Sequence, residues 1–264
     1  MPDPVLEFVD AGLSFGPRPL WSGLSLRVAP GEFVAVLGAN GSGKTSMVRS
    51  VLGLQRLSAG SVRVGGHPAR RGADDIGYVP QQRRIEPLTP MRARDMVGHG
   101  LDGHRWGLAR HADRAARVAA ALDAAGAAEF ADMPVGLLSG GEQQRVRIAQ
   151  ALVAEPRLLL CDEPLLSLDL RNQRAITALV DRQRRAKGAA VVFVTHEVNP
   201  VLPYVDRVLY LAGGRFRIGT VDEVFTSATL SDLYGAPIEV VTVGDRILVA
   251  GIPEANQHEA GARV

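Results

Sequence analysis

Gly38-Ala39-Asn40-Gly41-Ser42-Gly43-Lys44-Thr45 follows the apolar run 33–37 and precedes a segment, 46–53, of helical character. The octet fits G-x-x-x-x-G-K-[ST], a phosphate-binding loop, in the strand–loop–helix setting that the pattern requires. Its glycines let the backbone curl so that successive N–H groups point at phosphate oxygens. The helix behind it adds the partial positive charge of its N-terminus. Lys44 would reach the outer phosphates, and the Thr45 hydroxyl would ligate a magnesium ion. The alternative is a glycine-rich turn with an incidental lysine. Lysine, however, occurs here only at positions 44 and 187 among 30 basic residues, so it is not background. The stretch reads as a nucleotide site.

Working outward, the 264 residues suffice for one large α/β domain, or for a domain carrying an inserted lobe. With 46% hydrophobic and 22% charged residues the composition is that of a soluble globular protein. No apolar run approaches the roughly 18 residues needed to cross a bilayer. Residues 1–10 lack a basic start followed by a long apolar segment, so no signal peptide is expected. The single cysteine, Cys161, excludes an internal disulfide and fits a reducing cytosol. A net charge of +2 does not mark a nucleic-acid-binding protein.

Taken in order, residues 5–9 and 24–28 read as strands around the turn-prone Gly16-Pro17-Arg18-Pro19. Phe15 ends the first segment, where it either stacks on an adenine ring or packs at a sheet edge. Residues 61–64 and 76–80 are strand-like, and Gln81 and Gln82 follow directly. From 92 to 154 the sequence turns alanine- and arginine-rich without strand patterning, as a helical lobe inserted into an α/β core would. His99, His104 and His111 lie there at spacings that fit no standard zinc motif. Strand character returns at 158–161 and 190–195, separated by a helical segment at 172–187. Gly213-Gly214 and Gly244-Asp245 each sit between two apolar segments, predicting hairpins, and Thr229 is positioned to cap a short helix reaching Tyr234. Residues 253–264, polar and rich in alanine and glycine, read as a frayed tail.

The phosphate loop, Gln81, Asp162-Glu163 and His196 each come directly after a short apolar run. In an open parallel sheet ligands bind beyond the carboxyl ends of the strands, so these groups should converge on one crevice. Asp162, ending the run 158–161, would hold magnesium through water. Glu163 would then orient or deprotonate the water that attacks the terminal phosphate. His196 would either donate to that phosphate or serve structure alone. Cys161 reads as a small buried apolar residue.

Leu138-Ser139-Gly140-Gly141-Glu142-Gln143-Gln144-Arg145 is the most diagnostic string in the chain. With the phosphate loop it makes the sequence resemble the ATP-binding subunit of an ABC transporter, over about 5–251. The resemblance implies an α/β, P-loop NTPase (RecA-like) core with an N-terminal antiparallel β subdomain and an inserted α-helical subdomain. Within one ATPase domain, 1–252, the core would occupy about 1–85 and 157–235. The helical subdomain would take about 86–156, the C-terminal hairpin about 236–251, and 253–264 the flexible tail. Phe15 falls at the adenine-stacking position, where the family more often has tyrosine. Gly38, Asn40, Gly41, Ser42, Gly43, Lys44, Thr45 and Ser46 would bind the nucleotide's phosphates. Ser139, Gly140, Gly141 and Glu142 match the signature motif, and Asp169 in Ser167-Leu168-Asp169 matches the D-loop. Gln81 matches the Q-loop, Asp162-Glu163 the end of Walker B, and His196 the switch histidine, followed here by Glu197 instead of the commoner aspartate. Lys44, Gln81, Glu163 and His196 would act on the reacting phosphate, and Thr45, Gln81 and Asp162 on the metal.

The resemblance further implies ATP and Mg²⁺ as cofactors. It implies a homodimer that sandwiches two ATP molecules, the signature of each chain facing the γ-phosphate held by the other. An integral membrane permease, an extracytoplasmic substrate-binding protein and a cytoplasmic position on the inner face of the membrane follow from the same likeness. The segments after His196 and from 230 to 247 resemble bacterial zinc or manganese importers. ATPases of siderophore-iron or cobalamin importers are the alternative. Soluble ABC ATPases of repair or translation form another class, but they carry long coiled-coil insertions or two ATPase halves, which this chain lacks.

Overall fold

The computed structural model describes residues 3–81, 85–102 and 113–251. Its centre is the strands at 33–38, 158–162 and 190–194, buried at every position and apolar up to their carboxyl ends because both faces are covered. β1 (Leu6–Phe15), β2 (Arg18–Val28), β4 (Ala59–Val64) and β5 (His67–Pro68) form an antiparallel sheet in the order β2-β1-β4-β5. β3 (Phe33–Gly38), β6 (Ile76–Val79), β7 (Leu158–Asp162), β8 (Ala190–Val194), β9 (Arg207–Ala212) and β10 (Arg215–Gly219) form the second, ordered β10-β9-β3-β8-β7-β6. All neighbours in it are parallel except β10, which returns against β9 as a hairpin.

The two faces of the central sheet separate by strand parity. Val34 and Val36, with Leu158, Leu160, Val192 and Val194, face the antiparallel sheet and α1 (Lys44–Val51). There Trp21, fully buried, meets Phe8 edge-to-face at 6.4 Å. Phe33, Ala35, Leu159, Cys161, Val191 and Phe193 face the opposite way, into a core shared with the helices. Those helices are α2 (Ala93–Asp102), α3 (Arg114–Ala124), α4 (Gly140–Leu152) and α5 (Leu170–Lys187). Arg184 pins α5 to the sheet by donating to Asp206 at 2.6 Å and to the Gly31 carbonyl at 3.0 Å. Arg184, Arg185 and Lys187 in the last turn of α5 complement its negative end, and Gly188 closes it in the left-handed conformation.

After β10 come α6 (Val221–Val224), α7 (Ser227–Tyr234) and the hairpin of β11 (Glu239–Val243) and β12 (Arg246–Ala250). Three local expectations are corrected. The cap of α7 is Thr226, whose oxygen accepts from the Thr229 backbone at 3.1 Å; Thr229 lies inside the helix. α5 begins at Leu170, two residues earlier than expected, because Asp169 caps it by accepting from the Asn172 N–H at 2.8 Å. β1 does not stop at residue 9. It continues to Phe15 through register shifts at 8–14, and the turn to β2 shrinks to Gly16-Pro17. The expectations at Gln82, His104, His111 and residues 253–264 lie outside the described residues. Among the described residues no helix is long and apolar enough to cross a membrane, and no three His, Cys, Asp or Glu side chains group as metal ligands.

Candidate functional site

The phosphate loop spans the end of β3 and the start of α1, and two of its glycines are sterically required. Gly38 has φ +144°, and a Cβ there would lie 2.1 Å from the Leu211 carbonyl oxygen. Gly43 has φ +97°, and a Cβ there would lie 2.8 Å from the Trp21 indole nitrogen. Only glycine fits both the dihedral and the space. Lys44, almost fully buried, turns its ammonium back onto the loop, donating to the carbonyls of Gly38 at 2.7 Å and Ala39 at 3.1 Å. Burial lowers its pKa, opposed in part by the charges of Glu163 and Asp162.

Behind the loop, the Thr45 hydroxyl donates to Asp162 Oδ1 at 3.3 Å. Asp162 ends β7 and is 1% exposed. Burial first, and the neighbouring Glu163 second, push its pKa up, against the Thr45 hydrogen bond and the Lys44 charge. Glu163 adopts φ +47°, an uncommon conformation for a non-glycine residue, and its N–H donates to the Val194 carbonyl at 3.0 Å. That kink turns the carboxylate into the cleft. There Glu163 Oε1 is 3.9 Å from the Lys44 ammonium, and Oε2 accepts from Gln81 Nε2 at 3.3 Å.

His196 stands beyond the end of β8 with its side chain 45% exposed and Nε2 3.7 Å from Glu197 Oε1. The Thr195 hydroxyl brackets it, accepting from the Glu197 N–H and donating to the Glu197 carbonyl, each at 3.1 Å. Gln81, Glu163 and His196 therefore meet the phosphate loop in one cleft of about 900 Å³. Four strand ends converge, as the sequence predicts. Phe15 also lines this cleft and is 56% exposed, so it is not a core residue.

The same cleft is lined by Arg18, Leu20, Leu166, Tyr210 and Tyr234, which sequence reasoning missed. Arg18 was open to discovery, since it is the cross-strand partner of Phe15. No local signal marks the two tyrosines, which are distant in sequence and share a hydrogen bond at 3.0 Å between hydroxyls.

Ser139, Gly140, Gly141, Glu142 and Asp169 are not in this cleft. Ser139 caps α4 in a reciprocal box: its oxygen accepts from the Glu142 N–H at 3.4 Å, and the Glu142 carboxylate accepts from the Ser139 N–H at 2.7 Å. Asn172 joins this helix start to Asp169. It donates to Asp169 Oδ2 at 2.8 Å, and its side chain lies 2.9 Å from where a Cβ of Gly141 would stand. One chain thus carries a nucleotide cleft and, apart from it, a second group of helix-start residues.

With this geometry in hand, the chain matches the ABC transporter family over residues 21–166, more than half its length. The chain belongs to the ABC transporter family. It is an ATP-binding, ATP-hydrolysing subunit of that family. The ABC ATPase is 33% identical over 235 residues to the zinc import ATP-binding protein ZnuC of Pseudomonas putida, covering 89% of this chain and 85% of that relative. It is 36% identical over 210 residues to the aliphatic sulfonates import ATP-binding protein SsuB of the same organism, covering 79% of this chain and 74% of the relative. Among solved structures it is similar to a metal-chelate type ABC transporter in an inward-facing conformation, with TM-score 0.79 and 26% identity, covering 94% of this chain and 96% of that one.

Proposed function

We propose that this ABC ATPase powers import of a divalent transition metal, zinc or manganese. The observation that carries this reading is the likeness to zinc-import and zinc-transport ATP-binding proteins from several organisms, one of them reaching 89% of this chain, well past the family's matched region. The metal-chelate type transporter, aligned over 94% of the chain, favours a second reading, a siderophore-iron or cobalamin importer.

In the proposed cycle, the loop amides at 38–46 and the N-terminus of α1 receive the phosphates of ATP. Lys44 exchanges the Gly38 and Ala39 carbonyls for β- and γ-phosphate oxygens. Phe15 offers its exposed ring to the adenine. Thr45 and Asp162 present hydroxyl and carboxylate oxygens, hard donors suited to Mg²⁺, and a cation there would relieve the repulsion between Asp162 and Glu163. When bound, that ion shields the phosphate charge.

Glu163 takes a proton from the attacking water, whose oxygen bonds to the γ-phosphorus as the bond to the β–γ bridging oxygen breaks and ADP leaves. Gln81, already hydrogen-bonded to Glu163, holds that carboxylate and would offer its amide oxygen to the metal. His196 donates to the γ-phosphate. Ser139 and the amides at the start of α4, with Asp169, serve the nucleotide held by a second copy of the chain. The ATPase pair sits on the inner face of the membrane against a permease, with an extracytoplasmic protein delivering the cargo and no nucleic acid involved.

Deleting the gene from its host tests the cargo. Growth in chelator-treated medium should fail and return with added zinc or manganese. Recovery only with a siderophore-bound iron source, with cobalamin or with an aliphatic sulfonate would overturn the metal reading.

A further inference from the structure

In the proposed cycle His196 reaches a phosphate, yet among the described residues no side chain hydrogen-bonds its ring, Glu197 being 3.7 Å away. Its position is therefore set by the backbone on either side. On the N-terminal side the restraint is strong. The Thr195 N–H donates to the Val36 carbonyl at 3.1 Å, tying this point to the strand that carries the phosphate loop, and the Thr195 hydroxyl brackets Glu197.

On the C-terminal side the restraint comes from a distant part of the chain. Asn199 Nδ2 donates to the Ile247 carbonyl at 3.0 Å, and the Ile247 N–H donates to Asn199 Oδ1 at 2.8 Å. One side-chain amide thus pairs with both polar groups of a β12 residue, as a neighbouring strand would. Among the described residues these are the hydrogen bonds that join the hairpin to the segment 195–201.

The hairpin is itself anchored from its other end. The Ser231 hydroxyl accepts from the Ile238 N–H at 2.9 Å and donates to its carbonyl at 3.2 Å, and the Ser227 hydroxyl accepts from the Val240 N–H at 2.9 Å. Both serines belong to α7. Val240, Ile247 and Val249 turn inward onto the core, while Val241, Val243 and Leu248 remain exposed. The hairpin is attached at both ends and packed along one face.

We propose that the C-terminal hairpin β11–β12 is a brace for the His196 segment, with Asn199 as the positioning residue that transmits it. The inference rests on the reading of His196 as the γ-phosphate contact. Asn199 touches no reacting atom. It acts by keeping the backbone three residues after His196 from drifting, and displacements of about 1 Å at a reacting centre cost up to 10²-fold in rate.

The test uses the full-length chain at saturating ATP, comparing Asn199→Ala with Ser231→Ala, which loosens the hairpin at its far end, and with Val243→Ser on its exposed face. Asn199→Ala should lower kcat roughly tenfold, with KM for ATP within about twofold of the parent. Ser231→Ala should lower kcat in the same way, and the double variant should lose less than the product of the two losses, because both act through one hairpin. Val243→Ser should leave kcat unchanged. A merely structural role would lower the thermal midpoint of Asn199→Ala and Ser231→Ala while leaving kcat per folded molecule intact, and that result would overturn the proposal. His196→Ala separates the two ideas. If it keeps full turnover, the reading of His196 fails and the brace with it. If it loses turnover while Asn199→Ala does not, the brace alone is wrong.

Discussion

At Asp162 a folding requirement and a chemical one pull in opposite directions. The carboxylate is buried at the end of β7 beside Glu163, so its folded pKa lies above the unfolded value. A raised carboxylate pKa means that the folded state holds the proton more tightly than the unfolded one. Stability is therefore lost as pH rises through the folded value and regained as pH falls. A cation bound there with ATP would offset the cost. Asp162→Asn keeps an oxygen to accept from Thr45 but carries no charge. In metal-free, nucleotide-free buffer it should melt higher than the parent, by about 2–4 °C for each kcal/mol relieved. The gap should close as pH falls towards the ordinary carboxylate range, and magnesium-dependent ATP hydrolysis should be lost. Glu163 has the complementary test. Glu163→Gln preserves its shape and one oxygen, so ATP should still bind while turnover falls by at least about 10²-fold, measured as phosphate release. Near-normal turnover would remove Glu163 as the base.

Among the elements, α4 shows how one helix start can be both stable and available. The capping box uses the Ser139 oxygen and the Glu142 carboxylate on each other's N–H groups, while Ser139 itself stays exposed. Glu142→Ala removes the 2.7 Å bond from the Ser139 N–H. It should cost about 1 kcal/mol, a drop of about 2–4 °C in the thermal midpoint, with ATP affinity of the single chain unchanged. The elements differ in how plainly their residues announce them. β3, β7 and β8 are apolar up to their carboxyl ends because both faces are covered, so those ends, and with them the phosphate loop, Asp162, Glu163 and His196, were legible, while Gln81 was marked by the short run of β6 before it. β1 was cut short because its pairing shifts register at Asp10, which takes φ +45° and interrupts the alternation a reader looks for. Thr226 and Thr229 are equally good caps by type, and the first takes the role by accepting from the N–H of the second. Tyr210 and Tyr234 reach the cleft from β9 and α7, an encounter that no local pattern encodes.

For the molecule as a whole, the decisive fact is that its motifs do not all meet. The phosphate loop, Gln81, Glu163 and His196 share a cleft, whereas Ser139–Glu142 and Asp169 lie outside it, linked to each other through Asn172. Two large apolar side chains flank that second group, Leu137 at 65% exposure and Leu170 at 63%. Exposed leucines on either side of the exposed Ser139 and Asp169 would be covered if a partner docked there. A second copy of the chain, related by a two-fold axis, would bring each signature to the other's cleft and complete two sites at once.

Mixing two defective chains tests that claim most directly. Lys44→Ala spoils the phosphate loop but keeps Ser139; Ser139→Arg spoils the signature but keeps Lys44. Neither variant alone should trap ATP. In a mixed dimer with sites formed between chains, one site has both sound parts and the other has neither. With freely exchanging chains, mixing should restore tight ATP trapping at about half the sites of each mixed dimer. If each site lies within one chain, no mixture contains a sound one. Mixed dimers shown to have formed, yet trapping no more ATP than the separate variants, would contradict the two-chain site.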